Sequence, residues 1–87
     1  MLRITPVPQK GFGLTVRLEG EVLGPWVAAV RDACTRQGRR PRRLRLDLSG
    51  VTFADAAGAQ LLSELLLEGA EVAACSSFIA ELLHPET

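Results

Sequence analysis

The chain predicts an α/β fold: a mixed four-stranded sheet, made of an N-terminal hairpin plus parallel strands, with helices mainly on one face and the order β-β-α-β-α-β-α. Three observations carry this reading. Residues 14–18 and 43–48 alternate apolar with polar side chains, the period of a strand with one buried face. Two longer stretches, beginning near Trp26 and near Gly58, repeat apolar residues at helical spacing. Glycine or proline stands at most changeovers, so the elements are short and closely linked.

Leu2 and Ile4 predict a short first strand ended by Pro6 and Pro8, and Gly11 to Gly13 turn the chain into the second, making a hairpin. In the second strand Leu14, Val16 and Leu18 alternate with Thr15, Arg17 and Glu19, and Gly20 ends it. Gly24 and Pro25 open a helix with proline in the first turn. Trp26, Val27, Val30, Ala33 and Cys34 share its apolar face, opposite Arg31, Asp32, Thr35 and Arg36, with Gly38 as the terminator and Trp26 read as a core anchor ahead of the alternative, a partner hot spot. The third strand, 43–48, sets Leu44, Leu46 and Leu48 against Arg43, Arg45 and Asp47. Such alternation belongs to a sheet covered on one face, because strands buried on both faces read as continuous apolar runs.

The next helix spans about 58–68, with Ala59, Leu61, Leu62, Leu65 and Leu66 inward, Gln60, Ser63, Glu64 and Glu68 outward, and Gly69 supplying its C-terminal turn. Residues 71–74 form a fourth strand, after which Ser76 or Ser77 caps a last helix ended by Pro85. Phe78, Ile79, Leu82 and Leu83 on that helix are apolar enough to cover the sheet or to support a homodimer. Right-handed crossovers make the last three strands parallel.

Eighty-seven residues with 47% hydrophobic content make one domain over 1–87. Ten basic residues balance ten acidic ones, which argues neither for a nucleic-acid binder nor for disorder. All ten basic residues lie at or before Arg45, whereas seven of the acids follow it, so the folded domain is expected to be electrically lopsided. No apolar stretch approaches the roughly 20 residues that cross a bilayer, and the start shows no export pattern, so a cytoplasmic location without membrane insertion is expected. Cys34 and Cys75 are isolated, which predicts buried reduced thiols, suited to a bacterial cytosol, in place of a disulfide or metal site.

Arg36, Arg39, Arg40, Arg42, Arg43 and Arg45 form the densest charge cluster, around Gly38 and Pro41. Read plainly it is a solvated helix-to-strand loop; the sharper alternative is a patch for acidic protein, anionic lipid headgroups or nucleic acid. No aromatic residue interleaves with the arginines, so a base-stacking surface and a nucleic-acid partner are not expected. His84, beside Pro85, reads as an exposed residue at a helix end. With no Gly-rich phosphate loop, no paired-carboxylate signature and one histidine without a nucleophile, the sequence predicts neither catalysis nor a metal or cofactor.

The most informative stretch is 44–67, where a strand passes through a small-residue turn into a helix. Backbone N–H groups and one acidic side chain are left exposed at such a helix start. Asp55 reads as its N-cap. Gly58 serves either helix packing or the approach of a partner's backbone.

The run Leu46-Asp47-Leu48-Ser49-Gly50-Val51-Thr52-Phe53-Ala54-Asp55-Ala56-Ala57-Gly58 resembles the signature of the STAS domain, found in anti-sigma factor antagonists and in the tails of sulfate transporters. The element order matches as well, and the resemblance covers about 2–83. It implies a non-catalytic regulatory domain that docks on an anti-sigma factor or ATP-binding kinase-like partner and so regulates transcription. The surface implied is Asp55, Ala56, Ala57, Gly58 and Ala59 with Leu61 and Leu62. In the family the segment at 55–58 is typically Asp, Ser or Thr, Ser, Gly, and a partner kinase phosphorylates the second hydroxylated residue. Here Ala57 holds that position and Ala56 precedes it, so the resemblance implies docking without the phosphorylation switch, in a permanently binding-competent state. Ser49, Thr52 and Ser63 are hydroxyls left as substitute phosphosites, of which Ser49 and Thr52 read as local turn bonds. An alternative from the same resemblance is the small STAS subunit of a lipid-transport ABC complex, docking on its ATPase by the same surface. A nucleotide or small-ligand sensor, a third class, finds no support in these residues.

Overall fold

The computed structural model describes residues 1–35 and 43–83, without the side chains of Phe12, Phe78, Leu82 and Leu83. Gly38, Pro41, Arg36, Arg39, Arg40, Arg42, His84 and Pro85 lie outside the described residues, as do the expected contacts of Phe78, Leu82 and Leu83.

Strand β1 (Leu2–Gln9) leads through a 3-10 turn (Lys10–Phe12) into β2 (Gly13–Val22); a second 3-10 turn (Gly24–Trp26) opens α1 (Val27–Ala33). Then come β3 (Arg43–Ala54), α2 (Ala56–Leu67), β4 (Glu71–Cys75) and α3 (Ser77–Leu83). The sheet order is β1-β2-β3-β4, with β1 antiparallel to β2 and the other two pairings parallel, as the sequence predicts. Leu14, Val16 and Leu18 of β2 and Leu46 and Leu48 of β3 are buried against Val30 of α1, Leu61, Leu62 and Leu65 of α2 and Ile79 of α3. Helices therefore cover one sheet face. On the other, Arg17 and Arg45 are exposed and Thr15 and Asp47 only half-buried.

Helix α2 opens at Ala56, ahead of the expected start near Gly58, and three strands run past their expected ends. Strand β1 runs straight through Pro6 and Pro8, because it is an edge strand: alternate residues there turn their N–H away from the sheet, and prolines two apart share that outward parity. Strand β2 passes Gly20, which takes φ 109° where a side chain would collide with the carbonyl oxygen of Met1. Strand β3 continues six residues past Leu48, because Ser49-Gly50 makes a bulge and not a turn. Its pairing with β2 slips between Arg17 and Glu19 and again between Gly20 and Glu21, each time adding a residue to β3. Each slip restores the parity of the pleat, so Val51 and Ala54 return to the core face.

Helix α2 ends as predicted at Gly69, whose φ of 108° completes a Schellman turn: the Gly69 N–H donates to Leu66 O and the Ala70 N–H to Leu65 O. Ser76 is the cap of α3; its Oγ accepts from the Ile79 N–H at 3.3 Å and donates to Val51 O at 3.1 Å, fastening the last helix to β3. Cys34 is buried as expected, but Cys75 is exposed, because β4 is the other edge of the sheet.

Candidate functional site

Asp55 organises the region at the C-terminal ends of β2 and β3. It is the N-cap of α2, with Oδ1 accepting from the Gly58 N–H at 2.8 Å. Its Oδ2 accepts from the Gly24 N–H at 2.9 Å, and its own N–H donates to Val22 O at 3.2 Å. One residue thus fastens the end of β2, the turn before α1 and the first turn of α2 together. The Gly58 amide first and the Gly24 amide second stabilise the ionised carboxylate, holding its pKa below the ordinary aspartate value.

Gly58 is buried, and a methyl group there would overlap Val22 O and lie 2.9 Å from Val22 C and 3.1 Å from Val22 Cγ1. Of the two roles open to it in the sequence, close packing of α2 on β2 is the one its surroundings require.

The seven residues expected to meet a partner divide by burial. Ala56 and Ala57 are exposed, and Asp55 and Ala59 are half-buried. Leu61 and Leu62 are 2% and 0% exposed, so they support the surface from inside the core and Leu62 offers nothing to a partner. Leu61 contributes only to the floor of a shallow open groove between α1 and α2, lined also by Val27, Arg31, Ala57, Gln60 and Glu64. Across that groove Arg31 donates to Glu64 Oε1 at 2.7 Å and pairs with Glu68 Oε2 at 3.5 Å.

Trp26 corrects a second expectation. Its place in the 3-10 turn before α1, and not within the helix, leaves it 39% exposed, so Val30 and Cys34 anchor this element in the core instead. Phe53, near the end of β3, is 44% exposed and was not distinguishable from a core residue in the sequence, since only the bulges decide which way it faces. The ledge of Ala56 and Ala57 is therefore joined, through Asp55, to two segments that each carry an exposed aromatic ring.

Of the nearby hydroxyls, Ser49 makes the local bond the sequence implies and Thr52 does not. Ser49 Oγ donates to Asp47 Oδ1 at 2.7 Å within the bulge, whereas Thr52 Oγ1 donates across the sheet to Gly20 O at 3.3 Å and makes no local turn. The Ser49 hydroxyl and amide, with Arg17 Nε at 3.3 Å, hold the Asp47 carboxyl below its ordinary pKa. Among the described residues no group of three or more His, Cys, Asp or Glu side chains is placed to hold a metal ion. No helix among them is long and apolar enough to cross a membrane.

The mixed sheet, the helices on one face and the capped start of α2 define a small α/β domain. The family model described as "Mlab, STAS domain" matches residues 7–83, and the chain belongs to the STAS domain family. Among solved structures, an antisigma-factor antagonist STAS domain from Rhodobacter sphaeroides is similar, with a TM-score of 0.63 and 25% sequence identity over 91% of this chain and 90% of that one. No curated protein is matched by the sequence.

Proposed function

We propose that this chain is a non-catalytic docking domain that binds a protein partner through the first turn of α2, with Ala56 and Ala57 at the centre of contact. The observation that carries the reading is the pairing of exposed methyl groups at 56 and 57 with a backbone held rigid beneath them by Asp55 and Gly58. A preorganised surface loses little entropy on binding. Trp26 and Phe53 are exposed aromatic residues of the kind that anchor interfaces.

The similarity to an antisigma-factor antagonist domain supports an anti-sigma factor or related ATP-binding kinase-like protein as that partner. Without a hydroxyl at 56 or 57 the contact is constitutive, since no phosphate of charge about −1.5 to −2 can be added there to expel the partner. The same absence favours a second reading, a structural subunit docked on the ATPase of a lipid-transport complex, which needs no switch at all.

The test is affinity capture from the native cell with the wild-type domain, A57E and A57S, each checked for folding by circular dichroism. Loss of one captured protein with A57E, in a domain that remains folded, supports the ledge; A57S retains the protein until a kinase modifies it. Equal capture by A57E and wild type refutes the ledge, and unfolding of A57E shows the turn to be core. An anti-sigma factor or a transport ATPase in the capture decides between the two readings.

A further inference from the structure

We infer that the cavity at the N-terminal ends of β2 and β3 binds a phosphate group, at a site separate from the docking ledge. The ledge lies where Val22 pairs with Ala54, and the cavity where Gly13 pairs with Arg43, at the other end of the same two strands. At about 3.3 Å per residue the two are roughly 30 Å apart.

The cavity has a volume of about 380 Å³, in the range of small-molecule sites, and is lined by Gln9, Lys10, Gly13, Leu14, Arg43 and Arg45. Three of those six residues carry cations and none is an acid. Arg43 Nε pairs with Glu71 Oε1 at 3.3 Å, an exposed contact that an incoming anion can share. Among the described residues no carboxylate lies within 4.0 Å of Lys10 or Arg45, and both are exposed.

The hairpin turn that carries Lys10 borders the cavity: Gly11 follows Lys10 with φ 72° and ψ 30° and is not one of the lining residues. A Cβ on Gly11 would meet nothing within 4 Å, so the outside of this turn is open.

Three cations around one concavity leave a monocarboxylate overmatched, whereas a phosphate ester offers more than one charge and three acceptor oxygens. Two arginine forks and one lysine point charge suit that oxygen set. The chemistry is the same whether the phosphate belongs to a soluble ester or to a lipid headgroup.

The full chain is titrated with inorganic pyrophosphate at constant ionic strength while backbone amide resonances are followed. Saturable shifts are expected at Gln9, Lys10, Gly11, Gly13, Arg43 and Arg45, and none at Asp55 to Gly58. K10Q with R45Q weakens binding roughly tenfold or more for each cation removed. R45K, which keeps the charge and loses the fork, falls between that variant and the wild type. Both positions are exposed, and an unchanged melting curve confirms that the variants fold. Shifts that fail to saturate, that spread equally to Arg3 and Arg17, or that survive unchanged in the double variant overturn the site. A second arm sediments the chain with phosphatidylcholine vesicles containing phosphatidic acid. Co-sedimentation that pyrophosphate displaces assigns the site to a headgroup, and pyrophosphate binding without co-sedimentation assigns it to a soluble ester.

Discussion

Replacing Gly58 by alanine sets two physical effects against each other, and the structure decides the sign. In an exposed helix the change stabilises by about 0.8–1.0 kcal/mol, since glycine loses more backbone freedom on folding. Here the new methyl group overlaps Val22 O, which must retreat by roughly 1 Å to recover an ordinary carbon–oxygen separation of about 3.3 Å. Overpacking of this kind costs about 1–3 kcal/mol. Val22 O also accepts from the Asp55 N–H at 3.2 Å, and disturbing that bond adds about 0.5–1.5 kcal/mol. Set against the gain in helix propensity, the expected outcome is a loss near 2 kcal/mol, or roughly 10 °C in melting temperature for a chain of this size. Thermal and urea denaturation followed by circular dichroism measure it. A melting temperature equal to or above wild type refutes the close packing of α2 on β2, and with it the account of how the ledge is held in place.

Three further outcomes follow from burial and charge. Leu62→Ala, at a fully buried position, is expected to cost about 2–5 kcal/mol. Leu67→Ala, in the same helix but 88% exposed, should stay within about 0.5 kcal/mol; similar urea midpoints for the two would contradict the assigned helix face. In the native state at pH 8 a thiol reagent should modify Cys75 promptly and Cys34 only on unfolding. Burial pushes the Cys34 thiol up to about 11, partly opposed by Arg31, so rapid modification of both would show α1 to be open. Asp47 and Asp55 both have folded pKa values below the unfolded one. Their stabilisation is therefore complete above the unfolded value of about 3.9 and is lost as pH falls through the lower folded values. D55N should flatten part of that acid limb in a pH series of urea midpoints, and an unchanged limb would remove Asp55 from the cap.

Where local pattern governs the outcome, the sequence was a reliable guide. The alternations at Leu14 to Leu18 and Leu44 to Leu48 identified the core face of the sheet, Asp55 the cap of α2, and Gly69 its end. Where a neighbouring strand decides, it was not. Ser49-Gly50 has the composition of a turn, and only pairing with Arg17 and Glu19 makes it a bulge within one long strand. Pro6 and Pro8 signal a strand end unless the strand lies at an edge. Leu61 and Leu62 carried two roles in the sequence, inward packing and partner contact, and burial keeps only the first for Leu62. Trp26 follows helical spacing, yet the 3-10 turn before α1 rotates it outward. The meeting of Lys10 with Arg43 and Arg45 depends on a hairpin folding back beside β3, which no local window contains.

The two prolines of β1 have a consequence beyond its length. A bare margin of pleated backbone invites another chain to hydrogen-bond along it, the route to fibrous stacking and to recognition by strand augmentation. Pro6 and Pro8 remove two donors from that margin, and the opposite one, β4, is only five residues long. Neither rim is a good template for strand addition, which guards the chain against self-propagating growth.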